Sequence, residues 1–128
     1  MTNSKGEKKC VLLVEDDKGA QELMTFMLTG YEIVVARDCS EGLRLARQRC
    51  FDLYILDNWL PDGTGIELCH RIRKFDQHTP ILFYSGAAYA HDTKDALNAG
   101  AQEYLIKPFE PQDLRRTVAR LVSAAGVK

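Results

Sequence analysis

The stretch Cys10-Val11-Leu12-Leu13-Val14-Glu15-Asp16-Asp17 runs from apolar residues straight into three acids. A run that is apolar at nearly every position fits a strand of a parallel sheet covered on both faces; a sheet with one wet side would alternate. Ile81–Phe83 has the same character, and strand-like runs recur at Lys9–Val14, Glu32–Ala36, Asp52–Leu56, Ile81–Tyr84 and Glu103–Ile106. The segments between them carry helical spacing, so five strand–helix units in 128 residues predict a three-layer α/β/α sandwich.

The helical stripes are read from i, i+3, i+4 spacing. The first holds Ala20, Leu23, Met24, Met27 and Leu28, and the second Cys39, Leu43, Ala46 and Cys50. A third holds Ile66, Cys69 and Ile72, a fourth helix lies around Ala90–Ala99, and the last carries Leu114, Val118, Leu121 and Val122 with Pro111 in its first turn. Gly30 and Gly100 fit left-handed caps after the first and fourth helices. The polar segment 1–8 reads as a flexible arm ahead of one domain over residues 9–125.

Seventeen basic and eighteen acidic side chains give a formal charge of −1, so no global field favours nucleic acid or an anionic membrane. No apolar stretch reaches the ~20 residues needed to span a bilayer, and a soluble, cytoplasmic protein is expected. Cys10, Cys39, Cys50 and Cys69 form no C-x-x-C pair and read as buried thiols; His70, His78 and His91 lack ligand spacing and read as surface residues.

Chemistry gathers where the apolar runs end. Glu15 and Asp16 follow the first strand, Asp57 follows Leu53–Leu56, and Lys107 follows Tyr104–Ile106. Ligands of open α/β sheets bind outside the carboxyl ends of the strands, so three carboxylates and one ammonium are expected to converge there. Crowded carboxylates repel unless a cation sits among them, and magnesium favours oxygen donors. The pattern reads as a magnesium-dependent phosphoryl site, with manganese as an alternative ion.

Taken together, Val14-Glu15-Asp16-Asp17, Leu56-Asp57, Leu60-Pro61-Asp62-Gly63, Ser85-Gly86, Ala99-Gly100-Ala101 and Tyr104-Leu105-Ile106-Lys107-Pro108-Phe109 resemble the receiver domain of two-component response regulators, the CheY-like superfamily. The resemblance covers about Cys10 to Leu121. It implies a five-stranded parallel sheet in the flavodoxin-like order 2-1-3-4-5 with five helices. It also implies that Asp57 is the phosphoacceptor, a carboxylate nucleophile, that Asp16 holds magnesium directly and Glu15 through water, and that the backbone carbonyl of Trp59 is a further ligand. Lys107 is implied as the lysine that pairs with Asp57 at rest and with a phosphoryl oxygen afterwards, Ser85 as the hydroxyl that binds the phosphoryl group, and Tyr104 as the aromatic that swings between outward and inward positions. Lys107–Pro108 is implied to be cis. Phosphorylation would draw Ser85 and the loop Gly86–Tyr89 inward and admit the Tyr104 ring, altering the surface of the fourth helix, fifth strand and fifth helix.

By the same resemblance, the partners are a sensor histidine kinase or histidine phosphotransfer protein, met through the first helix and adjoining loops with Lys18, Gln21 and Glu22, and a downstream effector or output domain. A monomer is the default, with phosphorylation-promoted dimerisation the other arrangement, and the chain turns over no separate substrate. Thr64 stands where many relatives place aspartate, in a turn where Gly63 and Gly65 permit left-handed angles. Asp17 reads as a cap of the first helix. Trp59 fits a shield over the acyl phosphate and a lid over apolar surface equally well. An aspartyl phosphatase would want a second carboxylate two residues after the nucleophile, where Trp59 stands. A flavin carrier of this architecture would want a glycine- and hydroxyl-rich loop where the acids stand, and a chemically silent binding module would not need all of Glu15, Asp16, Asp57, Ser85 and Lys107.

Overall fold

The computed structural model describes residues 8–86 and 90–126, the side chains at 90–92, 125 and 126 excepted. The expected arm up to residue 7, the side chain of His91 and residues 87–89 of the loop expected to be drawn inward lie outside the described residues. Strands and helices alternate: β1 (Cys10–Val14), α1 (Lys18–Met27), β2 (Glu32–Ala36), α2 (Cys39–Gln48), β3 (Leu53–Asp57), α3 (Gly65–Arg73), β4 (Ile81–Ser85), α4 (Ala90–Ala99), β5 (Glu103–Ile106) and α5 (Pro111–Gly126). Between β3 and α3, Trp59–Leu60 and Gly63–Thr64 form a two-residue antiparallel pair. The five long strands are parallel in the order β2-β1-β3-β4-β5, the sandwich that the sequence predicts.

Alternation along each strand divides the core in two. Leu12, Val14, Tyr54, Leu56, Ile81 and Phe83 face one layer with Leu68, Cys69 and Ile72 of α3 and Ala96 of α4. Val11, Leu13, Leu53, Ile55, Leu82 and Tyr84 face the other with Met24 and Met27 of α1 and Leu114 and Val118 of α5. Both faces of the sheet are therefore dry, which explains why its strands read as unbroken apolar runs.

Two strands run one residue further than the apolar pattern suggests. Asp57 pairs with Tyr84, and Ser85 pairs with Ile106, because the ladder continues through polar side chains that the strand ends can still hold. At the other end, Asp52 precedes β3. Its N–H donates to the Cys10 carbonyl at 2.8 Å and its carboxylate accepts from the Cys10 N–H at 2.8 Å, closing the sheet edge without lengthening the strand.

The caps follow from local chemistry. Asp17 caps α1, accepting from the Ala20 N–H at 2.8 Å, and a Cβ on Gly19 would stand 3.3 Å from the same carboxylate. Thr64 and Glu67 form a reciprocal capping box at the start of α3. Gly30 and Gly100 adopt φ of 99° and 116°, as their cap positions require.

Several sequence-based expectations are corrected. Leu23 is 57% exposed, because it lies at the margin of the α1 stripe while Met24 and Met27 fill its centre. Cys50 is exposed, since α2 ends at Gln48 and the helical period no longer applies. Cys10 and Cys39 are half-buried, leaving Cys69 as the fully buried thiol. Gly65 has no left-handed backbone; its lack of a side chain serves a steric purpose described below. His70 and His78 are exposed as expected. Among the described residues, no helix is long and apolar enough to cross a membrane.

Candidate functional site

The register Val14 with Leu56, Leu56 with Phe83 and Phe83 with Tyr104 aligns the carboxyl ends of β1, β3, β4 and β5 at one edge of the sheet. The polar residues that end or follow these strands, Glu15, Asp57, Ser85 and Lys107, are thereby brought together. Glu15, Asp16 and Asp57 each offer a carboxylate oxygen, and these atoms lie within 4.8 Å of one another. Glu15 is 2% exposed and Asp57 is 8% exposed, whereas Asp16 faces solvent.

Glu15 is held from two sides. One carboxylate oxygen accepts from the Tyr84 hydroxyl, and the other accepts from the Asp17 N–H at 2.9 Å. The Gln21 side-chain amide donates to the Glu15 carbonyl at 2.7 Å, tying α1 to the loop. Burial, and then the hydrogen bond to Glu15, push the Tyr84 phenol well above its ordinary range, so the group remains a proton donor.

Asp57, by contrast, is a carboxylate in a poorly solvated place. Burial and the charge of Glu15 push its carboxyl up to about 6, while the charge of Lys107 and hydrogen bonds from the N–H groups of Trp59 and Asn58 oppose the rise. The Lys107 ammonium lies over the Tyr84 ring, 4.5 Å from its centroid. The Lys107 N–H donates to the Ser85 carbonyl at 2.9 Å, and Lys107–Pro108 is cis.

The loop that follows Asp57 is pinned. The Gly65 N–H donates to the Asn58 carbonyl at 2.8 Å, and the buried Asn58 side chain accepts from the Ile66 N–H at 3.3 Å. Asp62 reaches across to α2 and accepts from the N–H groups of Cys39 and Ser40 at 2.8 and 3.0 Å. Ser85 is completely buried. The Tyr104 ring is half-buried and stacks on Phe83, with centroids 5.8 Å apart and planes 5° apart. The Trp59 side chain is 58% exposed, so it stands largely in solvent while its backbone N–H serves Asp57.

Three crowded carboxylates with one nearby ammonium retain excess negative charge, and their all-oxygen donor set suits a hard divalent cation such as magnesium. The residues present therefore fit the ion. Reading the sequence missed Tyr84 and Asn58, and gave Gly65 only a turn role. Tyr84 lies inside an apolar run, and only its alternation with Phe83, which turns it toward the first strand's acids, could have flagged it.

The sequence profile described as the response regulator receiver domain matches residues 11–119. The chain is 39% identical over 114 residues to the uncharacterized transcriptional regulatory protein YrkP of Bacillus subtilis (strain 168), covering 87% of this chain and 48% of YrkP. It is 34% identical over 106 residues to the response regulator ArlR of Staphylococcus haemolyticus (strain JCSC1435), covering 81% and 48%. It thus spans about half the length of these curated relatives. Among solved structures, a CheY-like response regulator receiver domain protein from Methanospirillum hungatei JF-1 superposes with a TM-score of 0.89 at 30% identity, covering 94% of this chain and 98% of that one. The chemotaxis protein CheY4 of Vibrio cholerae superposes with a TM-score of 0.81 at 31% identity, covering 90% and 99%.

Proposed function

Because the chain belongs to the response regulator receiver domain family, we propose that residues 9–125 form a signalling switch whose Asp57 accepts a phosphoryl group from a histidine of a partner kinase or phosphotransfer protein. The observation that carries this reading is the meeting of Glu15, Asp16 and Asp57 within 4.8 Å beside the Lys107 ammonium. Receiver domains as a family are phosphorylation switches and bind magnesium in an acidic pocket.

In the proposed step an Asp57 carboxylate oxygen attacks phosphorus. An O–P bond forms, the P–N bond to the donor histidine breaks, and its electron pair stays on the imidazole nitrogen, which then takes a proton from solvent. Asp57 has to be ionised to attack, and Lys107 and the N–H groups of Trp59 and Asn58 favour that form. Glu15, Asp16, Asp57 and the Trp59 carbonyl would hold magnesium, or manganese, which when bound supplies positive charge for the phosphoryl oxygens.

Lys107 then pairs with one phosphoryl oxygen and the Ser85 hydroxyl donates to another. The inward pull on Ser85 biases Tyr104 toward the buried side of its range, where Phe83 already provides a stacking surface. The group can shift this equilibrium only by binding one arrangement better than the other. The resulting change in the face formed by α4, β5 and α5 is the signal delivered to a downstream effector or output domain. These residues bind neither nucleic acid nor membrane themselves, act in the cytoplasm, and work as a monomer or as a dimer promoted by phosphorylation.

The test is an amide-resolved NMR titration with beryllofluoride and magnesium. Shifts are expected at Asp57, Ser85 and Lys107 and across α4, β5 and α5, all absent in Asp57→Asn. A response confined to the immediate site would contradict the switch.

A further inference from the structure

Tyr84 is a large aromatic, almost completely buried among the apolar residues of α1 and α5, yet it touches both charge systems of the site. Its hydroxyl donates to Glu15 and its ring lies under the Lys107 ammonium, 4.5 Å from the centroid. Phe109 braces the ring edge-on, with centroids 6.3 Å apart and planes at 76°. We infer that Tyr84 is a positioning residue of the phosphoryl site, its hydroxyl orienting Glu15 for the divalent cation and its ring seating Lys107.

The chemistry favours a phenol here over the alternatives. Glu15 is buried beside two other carboxylates, so its oxygens need donors. A lysine or arginine would satisfy them while cancelling the negative charge that a cation requires. A phenol satisfies one oxygen and leaves the charge in place, and the Asp17 N–H does the same for the other oxygen. The carboxylate is thus fixed without being neutralised. At the opposite end of the residue, the face of the ring attracts the ammonium. The ring thereby seats Lys107, whose charge acts on Asp57.

Hydroxyl and ring act on different partners, so they can be separated. This role rests on the receiver reading, and the experiment is therefore run beside the unmodified chain. Magnesium binding is measured by calorimetry, and phosphorylation by acetyl phosphate is measured at saturating magnesium, for Tyr84→Phe and Tyr84→Leu. Tyr84→Phe keeps the ring, and its magnesium dissociation constant is expected to rise roughly three- to tenfold, the worth of one hydrogen bond, with the rate at saturating magnesium nearly unchanged. Tyr84→Leu is expected to show the same weakening and also a slower rate at saturating magnesium, since Lys107 loses its seat. A purely structural role would lower the melting temperature and leave the magnesium constant of Tyr84→Phe within twofold of the unmodified chain; that result overturns the inference while the receiver reading stands. An unmodified chain that binds no magnesium overturns both.

Discussion

Gly65 and Asp57 are in contact through backbone: a Cβ built on Gly65 would stand 2.4 Å from the Asp57 carbonyl oxygen and 2.9 Å from the Phe83 ring. The first residue of α3 thus props the last residue of β3. Gly65→Ala is expected to destabilise the fold by about 2 kcal/mol through overpacking and, on the proposed function, to slow phosphorylation by moving Asp57. Urea unfolding measures the first effect, and a midpoint equal to that of the unmodified chain would contradict it.

Removing the Asp57 carboxylate should stabilise the metal-free protein. Burial and Glu15 push Asp57 from 3.8 up to about 6. The folded chain therefore binds a proton more readily than the unfolded chain, and stability falls as pH rises between those values. Above about pH 6 the full cost of the charged group is present. Asp57→Asn is expected to gain on the order of 2 kcal/mol at pH 8 in a chelator, and the gain should vanish below about pH 4. Thermal melts across that range test the sign. Magnesium should narrow the difference at pH 8 by binding the unmodified folded state.

Thr64 caps α3 with its hydroxyl on the Glu67 N–H at 3.1 Å, and Glu67 returns a bond to the Thr64 N–H at 3.1 Å. Thr64→Ala should cost about 1 kcal/mol, while Thr64→Asp, which restores a capping oxygen, should cost far less. Equal losses in denaturant unfolding would remove the capping account.

Lys107→Ala leaves the three carboxylates in place and removes the ammonium from above Tyr84. Phosphorylation should persist at a reduced rate, while the beryllofluoride-dependent NMR shifts at Ser85 and Tyr104 shrink. Full-sized shifts in this variant would deny Lys107 its part in the switch.

Much of the site was legible because its charged members interrupt apolar runs. Glu15, Asp16, Asp57 and Lys107 each stand where a hydrophobic pattern stops, and the crossover topology carries those stops to one edge. Tyr84 was not legible, because a tyrosine in a strand reads as core until the fold turns its hydroxyl toward Glu15. Gly65 was read as a turn glycine, whereas its need for no side chain comes from a carbonyl eight positions earlier. Leu23 and Cys50 matched helical spacing, but spacing reports neither how wide a buried stripe is nor where a helix stops.

The most direct test of the central claim is the intact mass of the chain after incubation with acetyl phosphate, with and without magnesium, beside Asp57→Asn. The account predicts one added phosphoryl group that requires both the ion and Asp57. An adduct that persists in Asp57→Asn, or no adduct under any condition, would contradict it.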